Sequence, residues 1–137
     1  MDARIAELTQ AEGGIVTCGS AAAVALGTAA AVAGNEPAKM LRLPFTEGMV
    51  NRVIIPSQQR FAYDQAVRMI GCHIVEIDTR AELDKALEEP VAMVVLLGKQ
   101  EHLTAVRLEE FATVCRPRGI PIMVDAASEH IERPSPW

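Results

Sequence analysis

Apolar positions along this chain follow two alternating periods. Short, mostly β-branched runs stand at 14–17 (GIVT), 53–56 (VIIP), 73–77 (HIVEI), 91–97 (VAMVVLL) and 120–124 (IPIMV). Most lack polar alternation, as strands do when helices cover both faces. Between them, 20–33, 61–70, 80–88 and 103–118 carry apolar residues at three- and four-residue spacing and read as helices. Strand and helix in turn are the pattern of βαβ units. The fold class is therefore α/β, with five parallel strands in a mostly parallel sheet and helices on both faces.

Punctuation supports these boundaries. Gly34, Gly71 and Gly119 follow the first, second and fourth helices, and Thr79 with Glu82 three residues on forms a capping box before the third. The segment 35–52, NEPAKMLRLPFTEGMVNR, fits neither period and holds two prolines and a glycine. It reads as a long surface excursion of the kind that covers sites in α/β domains. A helix-like DARIAEL begins at the second residue.

Composition narrows the class. The chain has 137 residues, 50% hydrophobic and 23% charged, which fits one domain with one core and excludes intrinsic disorder. No apolar stretch approaches the roughly 20 residues that a membrane helix needs. Residues 1–10 mix acidic, basic and apolar positions unlike a secretory signal, so a cytoplasmic location is expected. Net charge is −5 and aromatics make up 4%, so direct nucleic-acid binding is not expected. Cys18, Cys72 and Cys115 are far apart and read as buried or half-buried thiols, while His73, His102 and His130 show no metal-ligand spacing.

In an open parallel sheet, ligands bind beyond the carboxyl ends of the strands. The turn Cys18-Gly19-Ser20 leads straight into a helix of small residues. It reads either as a phosphate cradle or as a plain helix cap with a glycine for the tight turn. Asp125 closes a buried strand, where it either pairs with a cationic ligand group or caps the following segment. Ser57-Gln58-Gln59-Arg60, with Phe61 and Tyr63 close by, is either a ligand contact or an ordinary polar turn. Lys99 reads as a solvated loop residue, and the acidic pairs 88–89 and 109–110 as solvated helix faces.

The segments ARIAELTQAEGGIVTCGSAAAVALGTAAAVAG, LPFTEGMVNRVIIPSQQRFAYDQAVRMIG and GIPIMVDAASE together resemble the pyridoxal-phosphate enzymes related to bacterial selenocysteine synthase, the seryl-tRNA selenium transferase. The resemblance points to the branch that includes D-glucosaminate-6-phosphate ammonia-lyase. It implies the large domain of the aspartate-aminotransferase type, pyridoxal 5'-phosphate as cofactor and an amino-acid-like small-molecule substrate. It also implies a homo-oligomer for the full-length enzyme. Cys18, Gly19 and Ser20 would then sit at the coenzyme phosphate, and Asp125 would pair with the pyridine nitrogen. Ser128 would reach the ring's phenolic oxygen or phosphate, and Gln58 or Gln59 would take a ring-contacting place. Gly19, Ser20 and Asp125 are accordingly expected at one edge of the sheet.

The family's Schiff-base lysine follows the aspartate strand, whereas Lys39, Lys85 and Lys99 all precede Asp125. The expectation is a single partial domain over 1–137, truncated before that lysine and the small C-terminal domain and inactive alone. The strand at 14–17 should be poorly paired, because its family partner comes later. The alternative is a non-catalytic remnant that binds a phosphate ligand or a partner subunit.

Overall fold

Successive side chains of a strand point to opposite faces of a sheet, so a central strand without polar residues needs cover on both sides. The computed structural model, which describes residues 2–127 and 129, provides that cover. In chain order the elements are α1 (Asp2–Thr9), α2 (Ser20–Ala33), α3 (Pro37–Arg42), β1 (Arg52–Pro56), α4 (Gln65–Arg68), β2 (His73–Ile77), α5 (Arg80–Ala86), β3 (Met93–Leu97), α6 (Leu108–Cys115) and β4 (Ile122–Asp125). The strands form one sheet in the order β2-β1-β3-β4. Every pairing is parallel, with Arg52 opposite His73, Val53 opposite Met93 and Leu97 opposite Asp125.

Alternation along β1 and β3 divides the core in two. Ile54, Val94 and Leu96 face Leu83 of α5 and Phe111, Val114 and Cys115 of α6. Val53, Ile55, Met93 and Val95 face Val24 and Val32 of α2 and Ala66 and Val67 of α4. The architecture is a three-layer α/β fold, as the periodicity predicts.

The local signals also operate. Thr79 Oγ1 accepts from the Glu82 amide at 3.3 Å, and Glu82 Oε2 accepts from the Thr79 amide at 3.1 Å, closing the capping box. Gly71 has φ +89°, and the Pro44 carbonyl oxygen occupies the place of a Cβ, so both backbone angle and crowding require glycine there.

Several expectations need correction. The run 14–17 is not a strand, and Ile15 and Val16 are 69% and 64% exposed. The run joins neither edge of the sheet, in line with its expected poor pairing, and a β-branched run without a neighbour to complete its ladder does not form a strand. Four strands are therefore present among the described residues. The helix expected over 61–70 is a 3-10 turn, Ala62–Asp64, followed by the single turn α4. Phe61 is extended, and the positive φ of Gly71 ends the segment.

The helix expected over 103–118 is confined to α6. Ahead of it the chain makes a 3-10 turn, Gly98–Leu103, and Thr104 Oγ1 donates to the carbonyls of Glu101 and Val106. Pro117, which has no amide proton to continue the helix, falls in the closing turn Arg116–Arg118. The excursion 35–52 contains α3 and does not cover the carboxyl edge. Thr46 Oγ1 donates to the Gly71 carbonyl at 2.7 Å and accepts from Asn51 Nδ2 at 2.9 Å, which ties the excursion to the amino ends of β1 and β2.

Gln59 joins the end of β1 to β3. Its Oε1 accepts from the Leu97 amide at 2.8 Å, its Nε2 donates to the Leu97 carbonyl at 3.2 Å, and its side chain is buried. Gln59→Leu leaves both Leu97 groups unpartnered and should cost about 2 kcal/mol, read as a lower urea midpoint. Phe111→Ala, at a fully buried ring, should cost about 3–5 kcal/mol in the same assay. A loss below 1 kcal/mol in either variant would contradict the packing described.

Candidate functional site

Glycine at position 19 is required by backbone angle alone. Its φ is +131° and ψ 169°, a region that side chains avoid, while no atom lies within 4 Å of where a Cβ would stand. Thr17 Oγ1 donates to the Gly19 carbonyl at 2.9 Å and fixes the turn. Ser20 then opens a 14-residue helix in which no side chain caps the first turn. The amides there face outward with the positive end of the helix dipole, an arrangement that favours an anion. The residue at the cap position is Gly19, which has no side chain to bond the free amides.

Asp125 ends β4 and is half-buried. Its Oδ1 accepts from the Ala127 amide at 3.0 Å, so one carboxylate oxygen braces the turn after the strand. Beside it lies a cleft of about 260 Å³ bounded by Ser20, Phe61, Tyr63, Lys99, Gln100 and Asp125. A shallower groove, with Val24 and Met123 on its walls, also runs from Ser20 to Asp125. The start of α2 and the end of β4 thus meet at one edge, with Gly19 and exposed Cys18 immediately before Ser20. Cys18 departs from the expectation of a buried thiol because its turn lies outside both helix-covered cores.

Gln58 and Gln59 do not line the cleft, and both are held by protein partners. Gln58 Nε2 donates to Asp78 Oδ1 at 2.6 Å, and the Ser57 hydroxyl donates to the same oxygen. Gln59 clamps Leu97 as described. The walls at this position are instead the rings of Phe61 and Tyr63, edge to face with centroids 6.1 Å apart. Their sequence signal was their place just beyond β1 at the sheet's carboxyl edge. Lys99 is exposed, as expected for a loop lysine, but stands on the cleft wall with Gln100. Ser128 lies outside the described residues.

Beside the site, Arg60 is held in ion pairs. Arg60 donates to Asp64 and Glu76, and the Asp64 hydrogen bond, with both neighbouring charges, raises the guanidinium pKa further despite partial burial. Burial alone pushes the Cys72 thiol up to about 11 and also raises Cys115, the latter opposed by Arg118. Among the described residues no three His, Cys, Asp or Glu side chains gather as a metal site, and no helix is long and apolar enough to cross a membrane.

No family model matches the chain. It is 28% identical over 137 residues to the D-glucosaminate-6-phosphate ammonia lyase of Salmonella typhimurium (strain 14028s / SGSC 2262), covering 91% of this chain and 37% of that protein. It is also 28% identical over 138 residues to the 5'-C-glycyluridine monooxygenase-decarboxylase of a Streptomyces species, covering 91% and 35%. Among solved structures, a D-glucosaminate-6-phosphate ammonia-lyase superposes with TM-score 0.81 at 27% identity, over 92% of this chain and 37% of that one. The chain thus spans a little over a third of the length of the relatives it matches. Along nine-tenths of its own length it is homologous to D-glucosaminate-6-phosphate ammonia lyase and shares the α/β fold of that part.

Proposed function

We propose that this chain is the coenzyme-binding part of a pyridoxal-phosphate-dependent lyase or transferase that acts on an amino-acid-like substrate. The observation that carries the reading is the meeting of Ser20, at an uncapped helix start, with Asp125, at a strand end, across one cleft. The groups present suit pyridoxal phosphate: a helix start for its phosphate, a carboxylate for a protonated ring nitrogen, and aromatic rings lining the same cleft. When bound, the coenzyme supplies an electron-withdrawing ring that acidifies a substrate α-carbon.

The chain's own residues hold and tune that ring. The amides that open α2 and the Ser20 hydroxyl bind the phosphate. Asp125, half-buried and braced through Ala127, holds a proton on the pyridine nitrogen. Phe61 and Tyr63 exclude water from one side of the cleft, and Lys99 draws anionic groups of the substrate to its rim. Exposed Ile15 and Val16 favour a second reading, a non-catalytic unit whose apolar surface meets a partner subunit.

Titration with pyridoxal phosphate, followed by absorbance and by competition with inorganic phosphate, tests the reading. We expect saturable binding, weakened about tenfold or more by Asp125→Asn and abolished by Ser20→Glu, which sets a negative charge at the helix start. Unsaturable uptake, or equal affinity in both variants, would overturn it.

The thiols give a second check. In the native chain iodoacetamide should label Cys18 while Cys72 and Cys115 stay silent until urea is added, and pyridoxal phosphate should slow the Cys18 reaction. Rapid labelling of Cys72 in the native state would contradict its burial.

A further inference from the structure

Between Ser57 and Asp64 the polar side chains are tied down. Ser57 and Gln58 are held by Asp78, Gln59 by Leu97, and Arg60 by Asp64 and Glu76. Asp64 is 2% exposed, and its Oδ1 also lies 3.3 Å from Arg68 Nη2. A carboxylate buried under two guanidinium groups gains little net stability, since desolvation offsets most of the attraction. Its effect here is geometric. Arg60 and Asp64 bracket Phe61, Ala62 and Tyr63, and their contact pins both ends of a stretch that starts extended at Phe61 and tightens into a 3-10 turn. The aromatic rings inside the bracket line the cleft, Phe61 half-buried and Tyr63 66% exposed.

We propose that Arg60 and Asp64, braced by Glu76 and Arg68, are positioning residues that preset Phe61 and Tyr63 as an aromatic wall for a planar heteroaromatic ligand anchored at Ser20 and Asp125. The proposal rests on the coenzyme reading above and adds to it how the ring is received. A wall ordered before binding spares the ligand the cost of ordering it, which is where preorganised sites gain affinity. Arg60 and Asp64 do not line the cleft themselves and act through the rings they bracket.

Tyr63 is the chain's single tyrosine, so 3-fluorotyrosine labels it alone. In the 137-residue chain titrated with pyridoxal phosphate, its fluorine resonance reports the ring, and the Gly19 and Ser20 amides report the phosphate. We expect all of them to shift saturably in the parent chain. In Arg60→Met the amide shifts should persist with affinity lowered about two- to tenfold, the worth of an aromatic contact, while the Tyr63 shift is lost. In a chain already carrying Phe61→Leu and Tyr63→Leu, Arg60→Met should cost no further affinity, whereas a merely structural role would give additive losses.

Should Arg60→Met fail to fold, Glu76→Gln removes only the half-exposed brace and should give a partial loss of the Tyr63 shift. Unchanged Tyr63 shifts in the folded variants, or additive losses, would overturn the positioning role and leave the coenzyme reading standing. No saturable shift at Gly19 and Ser20 in the parent chain would overturn both.

Discussion

A strand buried on both faces has room for polar chemistry only at its ends, and the rest of this molecule follows from that constraint. In β1 and β3 the side chains from Val53 to Ile55 and from Met93 to Leu96 are consumed by the two cores. Parallel pairing then sends all four strands out on one side, so that Ser57, Gly98 and Ala126 begin their loops along a common edge. Functional groups gather there because hydrophobic burial leaves them no other place near the sheet.

The edge needs its own polar order, since loop backbone emerging from an apolar core must find partners. Gln59 is the clearest instance, a buried amide that satisfies both backbone groups of Leu97. It behaves as an extra rung between the loop after β1 and the end of β3. The acidic side chains Asp64, Glu76 and Asp78 take the remaining donors of this loop. Polarity that looks like a ligand-binding signature in the sequence is thus partly structural. The cleft lining in this loop is carried by the aromatic residues between the polar ones.

This explains what was legible and what was not. The runs 53–56 and 73–77 were readable because double-sided burial removes polar alternation, and Thr79 with Glu82 because a capping box is local chemistry. Asp125 was readable at the carboxyl edge because it ends a buried strand, whereas Ser20 reaches that edge through the packing of α2 on β4 and not through a strand of its own. The run 14–17 misled because β-branched residues declare a preference for extended backbone and say nothing of a ladder partner. The helices over 61–70 and 103–118 were overextended because apolar spacing of three or four does not distinguish a 3-10 turn from an α-turn. The difference lies in side-chain brackets such as Arg60 with Asp64 and Thr104 with Glu101 and Val106. Gln58 and Gln59 could not be assigned from sequence, because only the positions of Asp78 and Leu97 decide where an amide points.

The small residues of α2 connect packing to the site. Ser20 meets Asp125 only because α2 lies close against β4, and a helix of larger side chains would stand farther off. Gly27 marks the approach: the Met123 methyl group sits where its Cβ would be. A flexible methionine end yields to one added methyl group, whereas a bulky side chain at 27 would lift the helix from the strand. The alanine-rich sequence from Ser20 to Ala33 therefore does more than favour a helix. It fixes the separation between the start of α2 and the carboxylate-bearing end of β4, and under the proposed function that separation determines which ligand can bridge them.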